Sequence, residues 1–172
     1  QCVESDAIQQ RKGIDYVATL RGGADVLIDA KARDKGCSRF WKAKEPDLAL
    51  EVWSVVPTPT TPGVTGWTLN ESKVTDLILF TYDPCDSKLA FLMPFQHLRM
   101  AFKSKYREWL NAFGNPRDPS KLWYQKTDCN YRSACVFVPV SVTLSAIVEV
   151  SKGLAVQPVA AVKALQIPLP HL

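Results

Sequence analysis

Histidine is scarce in this chain: 2 among 172 residues, His97 and His171. A histidine-based metal site or a Ser-His-Asp triad is hard to assemble from two residues so placed. The 5 cysteines (Cys2, Cys37, Cys85, Cys129, Cys135) are odd in number and contain no CxxC spacing. A disulfide framework or structural zinc site is therefore not expected, and a reducing compartment is. Cys129 and Cys135 lack a neighbouring group that would lower a thiol pKa and read as core. Long apolar runs are missing too, since Ser, Pro or a charge interrupts each within about ten residues, too few to cross a membrane. There is no charged-then-apolar start with a cleavage site, so the expected location is cytoplasmic or otherwise intracellular. The chain begins at Gln1 rather than Met, so either an initiator or a longer N-terminus is expected to be missing. Arg21-Gly22-Gly23 has neither the spacing of a phosphate-binding P-loop nor a helix after it.

What remains is ordinary globular material, 47% hydrophobic and 22% charged. That suits one domain with a sizeable core plus at most a small appendage. The domain is expected over 1–150 and the appendage over 151–172, where a short helix near Pro158 leads into an extended tail. A net charge of +4 and a pI near 8.8 permit a polyanionic partner without requiring one. No repeat or low-complexity tract is present. Pro57 to Gly63, with three prolines, reads as a loop.

Polar Glu4 to Gln10 suggests the end of a helix stopped by Gly13. Asp15–Leu20 and Asp25–Ala32 are rich in β-formers and flank Arg21-Gly22-Gly23-Ala24, a hairpin signal. Further strands are expected at Leu48–Val56, Asp76–Tyr82, Leu89–Met93 and Cys135–Val140. From His97 to Leu110 the period changes: Leu98, Phe102, Tyr106 and Trp109 recur at helical spacing. Arg99, Lys103 and Arg107 fall between them and read as its exposed side. Val142–Val150 fits helix or strand. The expected fold is α+β (α/β), a mixed and mostly consecutive central sheet flanked by helices.

Chemistry concentrates around the hairpin. Period-2 geometry puts Asp29 and Lys31 on one face of their strand and Ala30 on the other. A two-residue Gly22-Gly23 turn would set Asp15 opposite Ala30. A three-residue loop, with a glycine in the left-handed position, would pair Leu20 with Ala24 and set Asp15 across from Asp29. Their Cβ atoms would then lie roughly 5 Å apart. The second register is preferred, since it gathers two carboxylates and an ammonium at one point. Facing carboxylates raise each other's pKa unless a cation intervenes. Mg²⁺, a hard ion that takes oxygen ligands, meets that need, and the Ala30 carbonyl offers a further oxygen. Such an ion activates water and polarises a phosphoryl oxygen while the lysine orients the water or steadies developing charge.

Gly13-Ile14-Asp15, a hairpin, then Asp29-Ala30-Lys31 resembles the PD-(D/E)XK nuclease superfamily, which includes restriction endonucleases and archaeal Holliday-junction resolvases. The resemblance implies a restriction-endonuclease-like core and metal-dependent hydrolysis of DNA phosphodiester bonds with Mg²⁺, or Mn²⁺ as a substitute. It makes Asp15 and Asp29 metal ligands and Lys31 catalytic. Many members carry a glutamate on the preceding helix, where Glu4 or Asp6 stands here. The first motif lacks the family's proline. The likeness runs from Glu4 to Phe102 in element order, with about twenty residues carrying motif. Duplex or branched DNA is the implied partner, and cutting both strands of a duplex suggests a homodimer. A phage or mobile-element origin is compatible with the resemblance. The alternative is a non-catalytic nucleic-acid-binding or protein-interaction module on the same fold.

Other residues have two readings each. Glu51 interrupts the apolar run Leu48 to Trp53, where a carboxylate is costly to bury unpaired. Either it faces Lys31 or a second metal, from a strand next to that of Asp29, or it faces water on an edge strand. Asp25 shares the Asp29 face but lies too far along the strand for the same ion and reads as a turn residue. Arg33, Lys35, Arg39, Lys42 and Lys44, interleaved with Phe40 and Trp41, read as a phosphate-binding loop or as a solvated one. Arg132, in the polar stretch Tyr131-Arg132-Ser133, is another phosphate candidate. Of the tryptophans, Trp41 and Trp67 are the expected exceptions to core burial. Gly66-Trp67 and Ser72-Lys73 flank the expected substrate entrance.

Overall fold

The computed structural model describes residues 7–33, 45–82, 90–126 and 132–153. Helix α1 (Ala7–Lys12) stops where Gly13 takes φ +79°, a left-handed conformation that costs glycine nothing. Strand β1 (Tyr16–Thr19) follows and pairs antiparallel with β2 (Asp25–Arg33). The loop between them has three residues: Leu20 N–H donates to Ala24 O at 2.8 Å, and Gly23 has φ +82°. Of the two registers the glycines allow, this is the one preferred for gathering the carboxylates, with Tyr16 opposite Ile28 and Thr19 opposite Asp25. Asp25 accepts a hydrogen bond from Thr19 Oγ1 at 2.7 Å, a role at the hairpin's end, as expected.

β2 also pairs, in parallel, with β5 (Leu77–Tyr82), and β5 pairs antiparallel with β6 (Ala90–Pro94). The first sheet is therefore mixed, ordered β1-β2-β5-β6. Parallel neighbours need a long crossover, usually a helix. Here the crossover contains strands of a second sheet. β3 (Asp47–Val55) pairs antiparallel with β4 (Val64–Thr65) and with β8 (Arg132–Pro139), which in turn pairs with β7 (Trp123–Lys126). The order of this sheet is β4-β3-β8-β7. The expectation of one consecutive central sheet is thus corrected to two four-stranded sheets. Glu51 does not follow Asp29 in a sheet, because β3 chooses the distant β8 over the adjacent β2.

One face of β3 and β8 carries Leu48, Leu50, Val136 and Val138, all fully buried. They join a core cluster with Ile78, Phe80 and Met93 of the first sheet. Helix α2 (Phe95–Phe113) adds Phe95, Leu98, Phe102 and Trp109 to it. The helix begins two residues earlier than its periodicity suggested, with Pro94 before it and Phe95 N–H bonded to Asp76 O at 2.8 Å. The ambiguous Val142–Val150 resolves as part of helix α3 (Val140–Gly153), whose Val140, Thr143, Ala146 and Ile147 are buried at helical spacing. The expected boundary after Val150 cuts the last turn of α3, and 154–172 lies outside the described residues.

Arg99 departs from its expected exposure. It is 7% accessible, with its guanidinium over the Phe95 ring at 4.4 Å and Nη2 donating to Asn70 O at 2.7 Å. It ties the segment before β5 to α2. That segment starts at Gly66, whose N–H bonds Val52 O at 2.8 Å. A Cβ at this position would lie 2.4 Å from the Glu51 carbonyl oxygen, a contact only backbone movement could relieve. Gly66→Ala should therefore destabilise the chain by about 1–3 kcal/mol in urea unfolding. An unchanged midpoint would mean that the two segments do not approach so closely.

Candidate functional site

Asp15 and Asp29 meet where the hairpin ladder ends. The last regular pair is Tyr16 with Ile28, and beyond it Asp15 N–H still reaches Ile28 O at 2.9 Å. The edge of β2 is then taken up by a side chain: Ala30 N–H donates to Asp15 Oδ2 at 2.8 Å. So Ala30 meets Asp15 through its amide, whereas the carbonyl was the expected contributor. Asp29, on the opposite side of β2 from Ala30, is only 2% exposed. Its Oδ1 accepts from Lys31 Nζ at 2.5 Å. Its Oδ2 is buried and accepts no hydrogen bond among the described residues.

That orphaned oxygen lies beside Gly13, where an added Cβ would stand 3.4 Å from Asp29 Oδ2 and 2.7 Å from Lys73 Cδ. The glycine both ends α1 and lets the Lys73 stem pack where a Cβ would stand. Burial is the main influence on Asp29 and pushes its pKa up to about 6. The Lys31 ammonium opposes this and the Asp15 carboxylate reinforces it.

Lys31 is held on both sides, by Asp29 and by the Trp67 ring, whose centroid is 5.7 Å from Nζ. Lys73 approaches from the segment before β5, with Nζ donating to Gln10 O at 3.1 Å at the end of α1. Burial holds the Lys73 amine below its usual pKa, against the pull of Asp29.

Both lysines also line a cavity of about 580 Å³ between the two sheets. Glu51 lines its far wall, brought there from the second sheet. A register shift in the β3–β8 ladder follows directly after Glu51, a bulge of the kind that re-aims side chains. Glu51 Oε2 accepts from Ser54 Oγ at 2.6 Å and from Trp67 N–H at 3.1 Å. Glu51 thus shares a cavity with Lys31, one of its two expected surroundings, but by facing it across two sheets. It does not complete an acidic cluster: among the described residues no three of His, Cys, Asp and Glu converge.

The remaining candidates divide simply. Trp67 is 8% exposed, so its ring is buried, though it borders the cavity as the expected entrance position suggested. Arg132 opens β8 instead of lying in a loop, and its guanidinium stacks over Tyr124 at 5.3 Å. Arg33 closes β2 opposite Tyr82. Glu4, Asp6, Lys35, Arg39, Lys42, Lys44 and Trp41 lie outside the described residues. Sequence reasoning missed Arg11 and Gln125, which also line the cavity. Arg11 had a signal, its position just before Gly13-Ile14-Asp15. Gln125 had none, because only the long-range β3–β8 pairing brings it there. Ser133, expected in a polar phosphate-touching loop, lies instead on β8 and lines the cavity.

Buried carboxylates without enough donors repel each other, and a hard divalent cation relieves that repulsion. The unpartnered Asp29 oxygen and the adjoining Asp15 are oxygen donors of the kind such an ion takes. No known protein family, curated protein or solved structure matches the chain at a significant level.

In metal-free buffer native Asp29 keeps its proton up to about pH 6, while the unfolded chain releases it near the ordinary 3.8. Between these values the native state binds more protons, so stability falls as pH rises through that window. Asp29→Asn should remove the decline and be more stable than wild type by about 1–3 kcal/mol at neutral pH. Urea unfolding in EDTA across pH 4 to 8 measures it, and parallel pH profiles for the two proteins would refute the account.

Proposed function

We propose that the chain is a metal-dependent nuclease that hydrolyses DNA phosphodiester bonds, with a restriction-endonuclease-like core. The observation that carries this reading is the hairpin register, which puts Asp15 across from a buried, under-bonded Asp29 with Lys31 two residues on. The mixed sheet around β2 is compatible with such a core. In this reading Asp15 and Asp29 are the ligands of Mg²⁺ or Mn²⁺, with Glu4 or Asp6 as the further carboxylate from the preceding segment. Magnesium bound there supplies charge neutralisation and a more acidic water.

The chain's own residues do the rest. Asp29 is held rigid by burial, and Asp15 by its bond to the Ala30 amide. Lys31, steadied by the Trp67 ring, keeps an ammonium beside them. There it orients the attacking water and takes up negative charge as the phosphoryl oxygens gain it. The water oxygen bonds to phosphorus and gives its proton to solvent, while the P–O bond to the sugar breaks and the leaving oxygen keeps the electron pair and takes a proton from solvent. Lys73 and Arg11 add positive charge along the approach. Arg33, Lys35, Arg39 and Lys42 follow Lys31 closely in sequence and, with Arg132, are the proposed backbone contacts. A homodimer would supply the second active site that cutting both strands requires.

Supercoiled plasmid, linear duplex and single-stranded DNA incubated with Mg²⁺, Mn²⁺ or EDTA provide the test. Wild type should cut only with metal. Lys31→Ala should be slower by about 100-fold or more, and Asp29→Ala should fall to background. Binding to DNA without cutting in any metal would replace the enzyme with a binding module.

A further inference from the structure

Between the two sheets lies a second chemistry that the carboxylate pair does not use. The cavity of about 580 Å³ is of the size that takes one small-molecule group. Its walls differ in character. On the side of Asp29 it is cationic, with Lys31, Lys73 and Arg11. On the side of the second sheet it offers Glu51, Gln125 and Ser133, bordered by the rings of Trp67 and Phe80. Both bonds to Glu51 fall on Oε2, from Ser54 and Trp67, which leaves Oε1 to accept from a ligand's N–H groups. A carboxylate on that wall repels phosphate, so an anionic group belongs at the lysine end. The occupant must therefore be anionic at one end, and flat with N–H donors at the other. A nucleotide has that form.

We propose that this cavity receives the base of an unpaired nucleotide, so that the substrate class is single-stranded or locally unpaired DNA. The inference rests on the nuclease reading, because Lys31 joins the cavity to the carboxylates and sets the nucleotide next to the phosphate being attacked. A base inside an intact duplex has its edge paired and its faces stacked, and must be extruded before it can enter. An unpaired base enters without that cost. Glu51 then reads the base edge and is a binding residue, separate from the metal ligands.

Fluorescence anisotropy with labelled DNA in EDTA tests the cavity without relying on metal chemistry. The probes are a 6-mer of deoxycytidine, the same length with one abasic position at each site in turn, a duplex and deoxycytidine monophosphate. The 6-mer should bind about tenfold more tightly than its weakest abasic version, the worth of one lodged base. It should also bind more tightly than the duplex. Glu51→Gln keeps an oxygen for Ser54 and Trp67, and Gln125→Ala alters an exposed side chain. Each should shrink the ratio of base-bearing to abasic affinity, and Glu51→Gln, by removing a negative charge, should tighten the abasic probe slightly.

Equal affinity for 6-mer and abasic probes, or tighter binding of duplex, overturns the proposal. Monophosphate binding as tight as the 6-mer makes the occupant a free nucleotide and also overturns it. If plasmid is cut with Mg²⁺ but no base dependence appears, the cavity reading fails and the nuclease stands. Base-dependent binding with no cutting in any metal has the opposite meaning.

Discussion

A carboxylate buried at 2% exposure with one oxygen unbonded is the constraint around which this chain is arranged. Asp29 would be tolerated at an edge facing water, but it faces inward on β2, between β1 and β5. Lys31 offsets part of the cost by donating to Oδ1, yet burial still outweighs it and holds the carboxyl's pKa near 6. Gly13 lets the Lys73 side chain pack beside Oδ2, since a Cβ there would stand 2.7 Å from Lys73 Cδ. Each neighbour thus has a physical relation to one group. A sequence selected for stability alone would use an apolar residue here, since buried charge is weak evidence for stability. The strain is more naturally the cost of a site.

The second constraint is topological. Because β2 and β5 run parallel, the chain between them must travel, and it does so through β3 and β4 of another sheet. Its return segment passes so close to β3 that Gly66 has no room for a side chain. That approach delivers the Trp67 amide to Glu51 and the Trp67 ring to Lys31. Further along, the same segment supplies Lys73, fastened by Arg99 through the Asn70 carbonyl. One crossover therefore joins a carboxylate from each sheet to a shared set of cations.

The local parts of this arrangement were legible in the sequence. Arg21-Gly22-Gly23 narrowed the hairpin to two registers, the convergence of carboxylates and lysine selected one, and that loop length sets Asp15 across from Asp29. The stop at Gly13 and the periodicity of Leu98, Phe102 and Trp109 were equally direct, since each rests on neighbours within a few turns. The pairing of β3 with β8 was not legible, because residues more than eighty positions apart choose each other by core packing and no local pattern records it. That one omission moved Glu51 into the wrong sheet, hid Gln125 and left Ser133 in a loop instead of on β8. Arg99 was misread for a related reason: its spacing on α2 is ambiguous, and only the loop carbonyl it binds turns it inward. Val142–Val150 became a helix because Thr143, Ala146 and Ile147 reach the core together, which an apolar run alone does not reveal.

Placing Glu51 across the cavity also changes what the acidic residues can mean as a group. On one sheet, three carboxylates would compete for the same ion and the same lysine. On two sheets, Lys31, paired with Asp29, and Lys73, bonded to the Gln10 carbonyl, line the cavity that Glu51 also lines. Separation by ammonium groups weakens the repulsion that would otherwise couple all three. In the proposed nuclease reading, Asp15 and Asp29 would serve a cation while Glu51 keeps its charge for other hydrogen bonds. The division of labour follows from the crossover rather than from residue type. Moving a single strand to the other sheet would remove it.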